Sequence, residues 1–191
     1  MEEQSVCNIG LGDLNQEALD GFIKTVCDLD VPYLTRIGER ELRADIAKGH
    51  AILAVVEGKV VGLIRAHRVF GSNYALSSLY IVNDIGGEQR GETAVKLLQE
   101  AMGKWEGMRL IMETTNTQLE QVWGSGLGTD QILDKLKDIG FNIEKPQNLK
   151  FILAITNLGM LVRGPMRYLR GYLTPEANNE MYLLLVHTPD P

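Results

Sequence analysis

Residues 83–102 read NDIGGEQRGETAVKLLQEAM, a glycine-bearing turn that runs straight into an amphipathic helix. The first turn of a helix leaves several N–H groups without intrahelical partners and carries partial positive charge, so this geometry suits a diphosphate. It also suits an ordinary turn, where glycine supplies conformations that other residues avoid. The segments on either side bear on the choice.

Upstream, HAILAVVEGKVVGLIRAHRVF (50–70) is two β-rich runs around Glu57-Gly58-Lys59, a hairpin pattern, and ALSSLYIVND (75–84) is a third strand entering the turn. Downstream, MRLIMETTN (108–116) reads as a strand, TDQILDKLKDIGF (129–141) as a helix stopped by Gly140, and NLKFILAIT (148–156) as a strand. Before the hairpin, SVCNI (5–9) is a short strand. LNQEALDGFIKTVCDL (14–29) has helical spacing of Leu14, Ala18, Phe22, Ile23 and Val26, with Asn15 or Asp13 as cap. GERELRADIAKG (38–49) is a shorter helix with Leu42, Ile46 and Ala47 on one side and Gly49 as its stop. The last stretch holds a short helix over 166–172 and a terminal strand MYLLLVH (181–187). The order β-α-α-β-β-β-α-β-α-β predicts an α/β (α+β) mixed sheet with helices on its faces.

The chain has 191 residues, 45% hydrophobic and 23% charged, which suits one globular domain with an added segment. A net charge of -6 argues against a general nucleic-acid binder. Cys7 and Cys27 are too few for a disulfide framework, and no Cys/His spacing resembles a metal site. MEEQSVCNIG lacks the apolar run of a signal peptide, and FILAITNLGMLV (151–162) is too short and interrupted to span a bilayer. The expectation is a cytoplasmic protein, or one in a virion assembled there, with no membrane contact.

The EGKVVG hairpin, the strand entering a glycine-bearing turn, and the helix after it resemble the GNAT superfamily of acyl-CoA N-acyltransferases over roughly residues 6–156. The resemblance implies a GNAT-like domain at 1–156 and a C-terminal extension at 157–191 packed on the domain or on a partner. It implies acetyl-CoA as acyl donor, with the thioester in a gap beside Tyr80, Ile81 and Val82 and the pyrophosphate on the start of the helix at Arg90, Gly91, Glu92, Thr93 and Ala94. RGETAV (90–95) matches the family's R/Q-x-x-G-x-G/A only in part, with Thr93 and Val95 where small glycines are preferred. A register using Gly86 and Gly87 stays open. Asn116 stands where the family's asparagine touches the pantetheine arm, or is a strand-end turn residue.

Candidate bases for an attacking amine are Glu113, Asp84 and Glu88; Glu113 would share a strand face with Ile111, where burial raises a carboxyl pKa. The family's acid tyrosine is replaced by Leu136, or by Trp123 if TQLEQVWGSGLG (117–128) is an insertion; neither donates a proton to a thiolate. His50, His67 and His187 have no nucleophile placed beside them by local sequence. The expected partner is a small-molecule or peptide amine. The tail's Arg163, Arg167 and Arg170, interleaved with Tyr168 and Tyr172, suit a protein contact rather than nucleic acid. The alternative is a GNAT-shaped structural or interaction protein without chemistry, such as a phage internal virion protein.

Overall fold

The computed structural model describes residues 15–28, 37–68, 72–124, 126–144 and 182–189, without the side chains of residues 113, 115, 144 and 182–184. The expected strands at 5–9 and 148–156, the helix at 166–172, Cys7 and the arginines and tyrosines of the tail lie outside these residues. Helices α1 (Gln16–Asp28) and α2 (Glu39–Ala47) precede strands β1 (Ala51–Val56), β2 (Lys59–Arg68) and β3 (Asn73–Ile81). Helix α3 (Gly87–Lys104), strand β4 (Arg109–Thr115), helices α4 (Asn116–Trp123) and α5 (Thr129–Asp138), and strands β5 (Asn142–Glu144) and β6 (Tyr182–His187) follow. The strands form one mixed sheet in the order β1-β2-β3-β4-β6-β5. Among the described strands only β3 and β4 pair in parallel, and α3 is the crossover between them.

Each sheet face carries its own core, because side chains alternate along the strands. Ile52, Ala54, Ile64 and Ala66 pack with Leu97, Leu98, Trp123 and Phe141 on the α3, α4 and α5 side. Leu53, Leu63 and Val60 pack with Leu19, Phe22, Ile23 and Leu42 of α1 and α2 on the other. Asn15 caps α1, its side-chain oxygen accepting the Glu17 N–H at 3.0 Å. The β1–β2 hairpin turns through Glu57 and Gly58, at φ 50° and 76°, the two positive values of a type I′ turn.

Four features differ from the sequence reading. Asn116 opens α4 instead of ending a strand, and much of the apparent insertion is this helix, with Leu119 and Trp123 buried. Ala47 is exposed, and Asp45 takes the buried position on α2 through an ion pair with Arg65. The short edge strand β5 was not expected. Residues 182–187, assigned to an extension, lie inside the sheet between β4 and β5.

Candidate functional site

Strands β3 and β4 pair over a short stretch only. Their parallel register runs from Asn73↔Arg109 to Leu76↔Met112 and stops, although β3 continues to Ile81 and β4 to Thr115. Beyond that point each follows its outer neighbour. β3 stays on β2 as far as Ile81↔Gly62, while β4 stays on β6 as far as Thr115↔Tyr182. The two arms therefore part, and a strand edge of β3 faces a gap.

The separation begins at a β-bulge. Arg65 pairs with Ser78 and Ala66 with Leu76, so Ser77 is an extra residue in β3. A bulge leaves its residue out of the ladder and bends the strand, a device found beside active sites. Sequence alternation could not reveal Ser77 in this role, because LSSLYI gives no sign of which serine is extra.

Beyond β3 the chain turns and α3 begins at Gly87, with Gly86 as N-cap and no side chain capping it. The Arg90 N–H donates to the Gly86 carbonyl at 2.9 Å, which closes the first α-helical ring. The amides of Gly87, Glu88 and Gln89 precede it in the first turn, and residues 91–94 lie further along the helix. Arg90, Gly91, Glu92, Thr93 and Ala94 lie in the second turn and beyond. Thr93 is buried and its hydroxyl donates to the Gln89 carbonyl at 2.7 Å; Ala94 is in the core; Glu92 is exposed. Val95 packs against the core on the α3 side.

Gly91 has a packing role. A Cβ there would stand 3.1 Å from Cδ1 of Trp123, so its bare backbone lets the indole of α4 lie against α3. The Arg90 side chain crosses the same seam, and its Nη2 donates to the Gln121 carbonyl near the end of α4. Burial pushes the Arg90 pKa down, with Tyr80 acting the other way.

Tyr80 sits on the free arm of β3, half-buried, its ring 5.9 Å from that of Phe22 on α1. Burial and then the Asp84 charge push its phenol pKa up, against Arg90, so the O–H stays protonated at neutral pH. Ile81 is buried in the α3-side core, and Val82 borders both cores. Asp84 and Glu88 are exposed and stand beyond the end of β3, at the helix start rather than beside the bulge. Glu113 lies on the parted arm of β4, opposite Leu184 of β6. Asn116 follows that arm directly, and the Thr114 hydroxyl reaches Gln118 of α4 at 3.4 Å. Leu136 is fully buried in the core on α5, and Trp123 is fully buried on α4.

The sequence reading also missed a charge cluster on the α2 side. Arg65 of β2, 2% exposed, donates through Nε to Asp45 Oδ2 at 2.9 Å, through Nη2 to the same oxygen, and through Nη2 to Glu41 at 2.8 Å. His50 Nδ1 is 3.7 Å from the other Asp45 oxygen. The arginine would read as an exposed strand residue, since nothing local signals partners some twenty positions away. His187 ties β6 to the end of α5 through the Gly140 carbonyl, 3.1 Å from Nδ1. Among the described residues no helix is long and apolar enough to cross a membrane.

No protein-family model and no curated protein sequence matches the chain. Solved structures match in shape. A GNAT-family acetyltransferase from Bacillus cereus has a TM-score of 0.52 at 9% identity over 99% of both chains. An aminoglycoside 6'-N-acetyltransferase complexed with coenzyme A has a TM-score of 0.55 at 14% identity over 98% of this chain and 99% of that one. N-acetylglutamate synthase from Neisseria gonorrhoeae, complexed with coenzyme A and N-acetyl-glutamate, has a TM-score of 0.53 at 15% identity over 100% of this chain. This chain spans 36% of the synthase's length. These matches, at TM-scores above 0.5 over nearly the whole chain, show that the chain has the GNAT acetyltransferase fold.

Proposed function

We propose that the chain binds an acyl-CoA, acetyl-CoA first, in the gap between β3 and β4 and transfers the acyl group to an amine. The observation that carries this reading is the end of β3–β4 pairing at Leu76↔Met112, which leaves an arm of β3 running on toward a helix start without a side-chain cap. An extended pantetheine arm can take the place of the missing strand partner along residues 77–81, using the backbone groups that β4 leaves unpaired. The pyrophosphate then meets the Gly87 and Glu88 amides. The reacting carbonyl belongs near the Ser77 bulge, where a strand N–H polarises it while an amine attacks. Holding the two reactants together accounts for much of the acceleration.

Glu113 is our candidate base, being on the arm of β4 that borders the gap. Asp84 and Glu88 stand at the phosphate end and are poorly placed for it. The thiolate leaves without help from α5, because Leu136 offers no proton. Turnover should therefore fall steeply as the pKa of the leaving thiol rises, across a series of acetyl thioesters. Isothermal titration with acetyl-CoA, followed by mass spectrometry of a panel of amines, tests the reading. An absence of binding at millimolar acetyl-CoA would remove it.

The buried Leu136 supports a second reading, a GNAT-shaped interaction protein without chemistry. Binding of acetyl-CoA without transfer to any amine, together with a stable protein partner, would favour that one.

A further inference from the structure

We propose that Arg90 is a positioning residue: it clips α4 onto α3 and so fixes the separation of the β3 and β4 arms, instead of gripping a phosphate. The proposal rests on reading the gap as the acyl-CoA site, and it follows from how the two arms continue. β3 leads through a short turn into α3, and β4 passes without a break into α4, Thr115 being followed by Asn116. Whatever fixes the two helices relative to each other fixes the arms.

The seam between those helices is reciprocal. The Arg90 guanidinium lies over Gly124, where a Cβ would stand 2.6 Å from its Cζ, and the Trp123 indole lies over Gly91, where a Cβ would stand 3.1 Å from its Cδ1. Two adjacent residues on α3, and the last residue of α4 with the glycine that follows it, thus each supply one large side chain and one bare backbone. Gly124 is at φ +57°, so a side chain there would be strained as well as obstructed.

The chemistry of the contact matches a helix end. α4 carries no basic residue in its own last turn, and its final carbonyls lack intrahelical donors. Arg90 of α3 supplies the missing cation and donates to the Gln121 carbonyl. The seam is dry. Arg90 Nε and Trp123 Nε1 are both buried and without an acceptor among the described residues. The base of the guanidinium is shielded from solvent, while Nη2 reaches the Gln121 carbonyl at the exposed edge of the seam.

Arg90→Met keeps much of the stem and removes the donors; Gly124→Ala displaces the guanidinium from the other side. Binding is measured for coenzyme A and for pantetheine, which carries no phosphate, and backbone hydrogen exchange is followed over α4 without ligand. The expected result for both variants is the same loss of affinity, about tenfold, for both ligands, with α4 amides exchanging about tenfold faster, the worth of one hydrogen bond to a charged group. If Arg90→Met weakens coenzyme A and leaves pantetheine unchanged, Arg90 is a phosphate contact and the proposal is overturned. Unchanged exchange over α4, or tighter binding of either ligand, overturns it equally. If the unaltered protein binds neither ligand, the acyl-CoA reading fails and the proposal's functional half with it, while faster exchange in Arg90→Met would still show the clip.

Discussion

Replacing Asp45 with alanine tests how α2 is fixed to the sheet. The change leaves the Arg65 guanidinium, 2% exposed, with Glu41 as its remaining hydrogen-bonded carboxylate. The Glu41 side chain is 61% exposed, so its attraction is screened and contributes about 1 kcal/mol at most. Breaking a buried pair by removing one partner costs about 3–5 kcal/mol, and the Glu41 contact places Asp45→Ala near the lower end, about 3 kcal/mol. For a domain of this size that is a fall in Tm of about 6–12 °C. Urea unfolding followed by circular dichroism measures the free energy, and a thermal scan the Tm. The double variant Asp45→Leu, Arg65→Met should recover most of the loss, because neither residue then buries a charge. A single variant within about 1 kcal/mol of the unaltered protein, or a double variant no better than the single, would refute the claim that the carboxylate is needed because the arginine is buried.

Three further outcomes are expected. Gly87→Pro removes one N–H donor at a helix position that tolerates proline, so stability should hold while coenzyme A affinity falls about tenfold or more; unchanged affinity by titration would move the pyrophosphate elsewhere. Gly91→Ala should destabilise despite a helix-propensity gain of about 1 kcal/mol, because its Cβ meets Trp123 and overpacking costs about 1–3 kcal/mol; urea midpoints that rise would contradict the close seam. Burial first, then the Arg65 charge, holds the His67 pKa below its ordinary 6.5, with Asp45 and Glu41 opposing and His50 adding to the depression. The unfolded chain therefore takes up this proton first, and the contribution of His67 is full above about pH 6.5 and is lost as pH falls through the folded value. His67→Gln should flatten the stability–pH curve in that window, and an unchanged slope would remove His67 from the account.

The layout was legible where local pattern and tertiary context agree. The hairpin about Glu57-Gly58, the strand before the quoted turn, and the helices ending near Gly49 and Gly140 all announce themselves through period and punctuation. The site was less so. The helix start is fixed by which N–H first finds a carbonyl four residues back, and Arg90 answers that question only in three dimensions. Gly91 drew attention as a phosphate-loop glycine, yet its bare backbone accommodates an indole from another helix. Asp45 reads as a surface acid on α2 until Arg65 is folded beneath it. The bulge at Ser77 depends on how β2 and β3 pair, which neither strand's sequence states alone.

Placing β6 between β4 and β5 has a consequence for how the chain matures. The outer support of the β4 arm arrives from residues 182–187, far along the polypeptide, whereas β1, β2 and β3 can zip together from neighbouring segments. During synthesis on the ribosome the β1–β2–β3 side of the sheet can thus form early, and the β4–β6 pairing only after residue 187 has emerged. A nascent chain halted before residue 182 would keep the four-residue match of β4 to β3 and the helices packed against the sheet, and it would lack the strand that flanks the parted arm of β4.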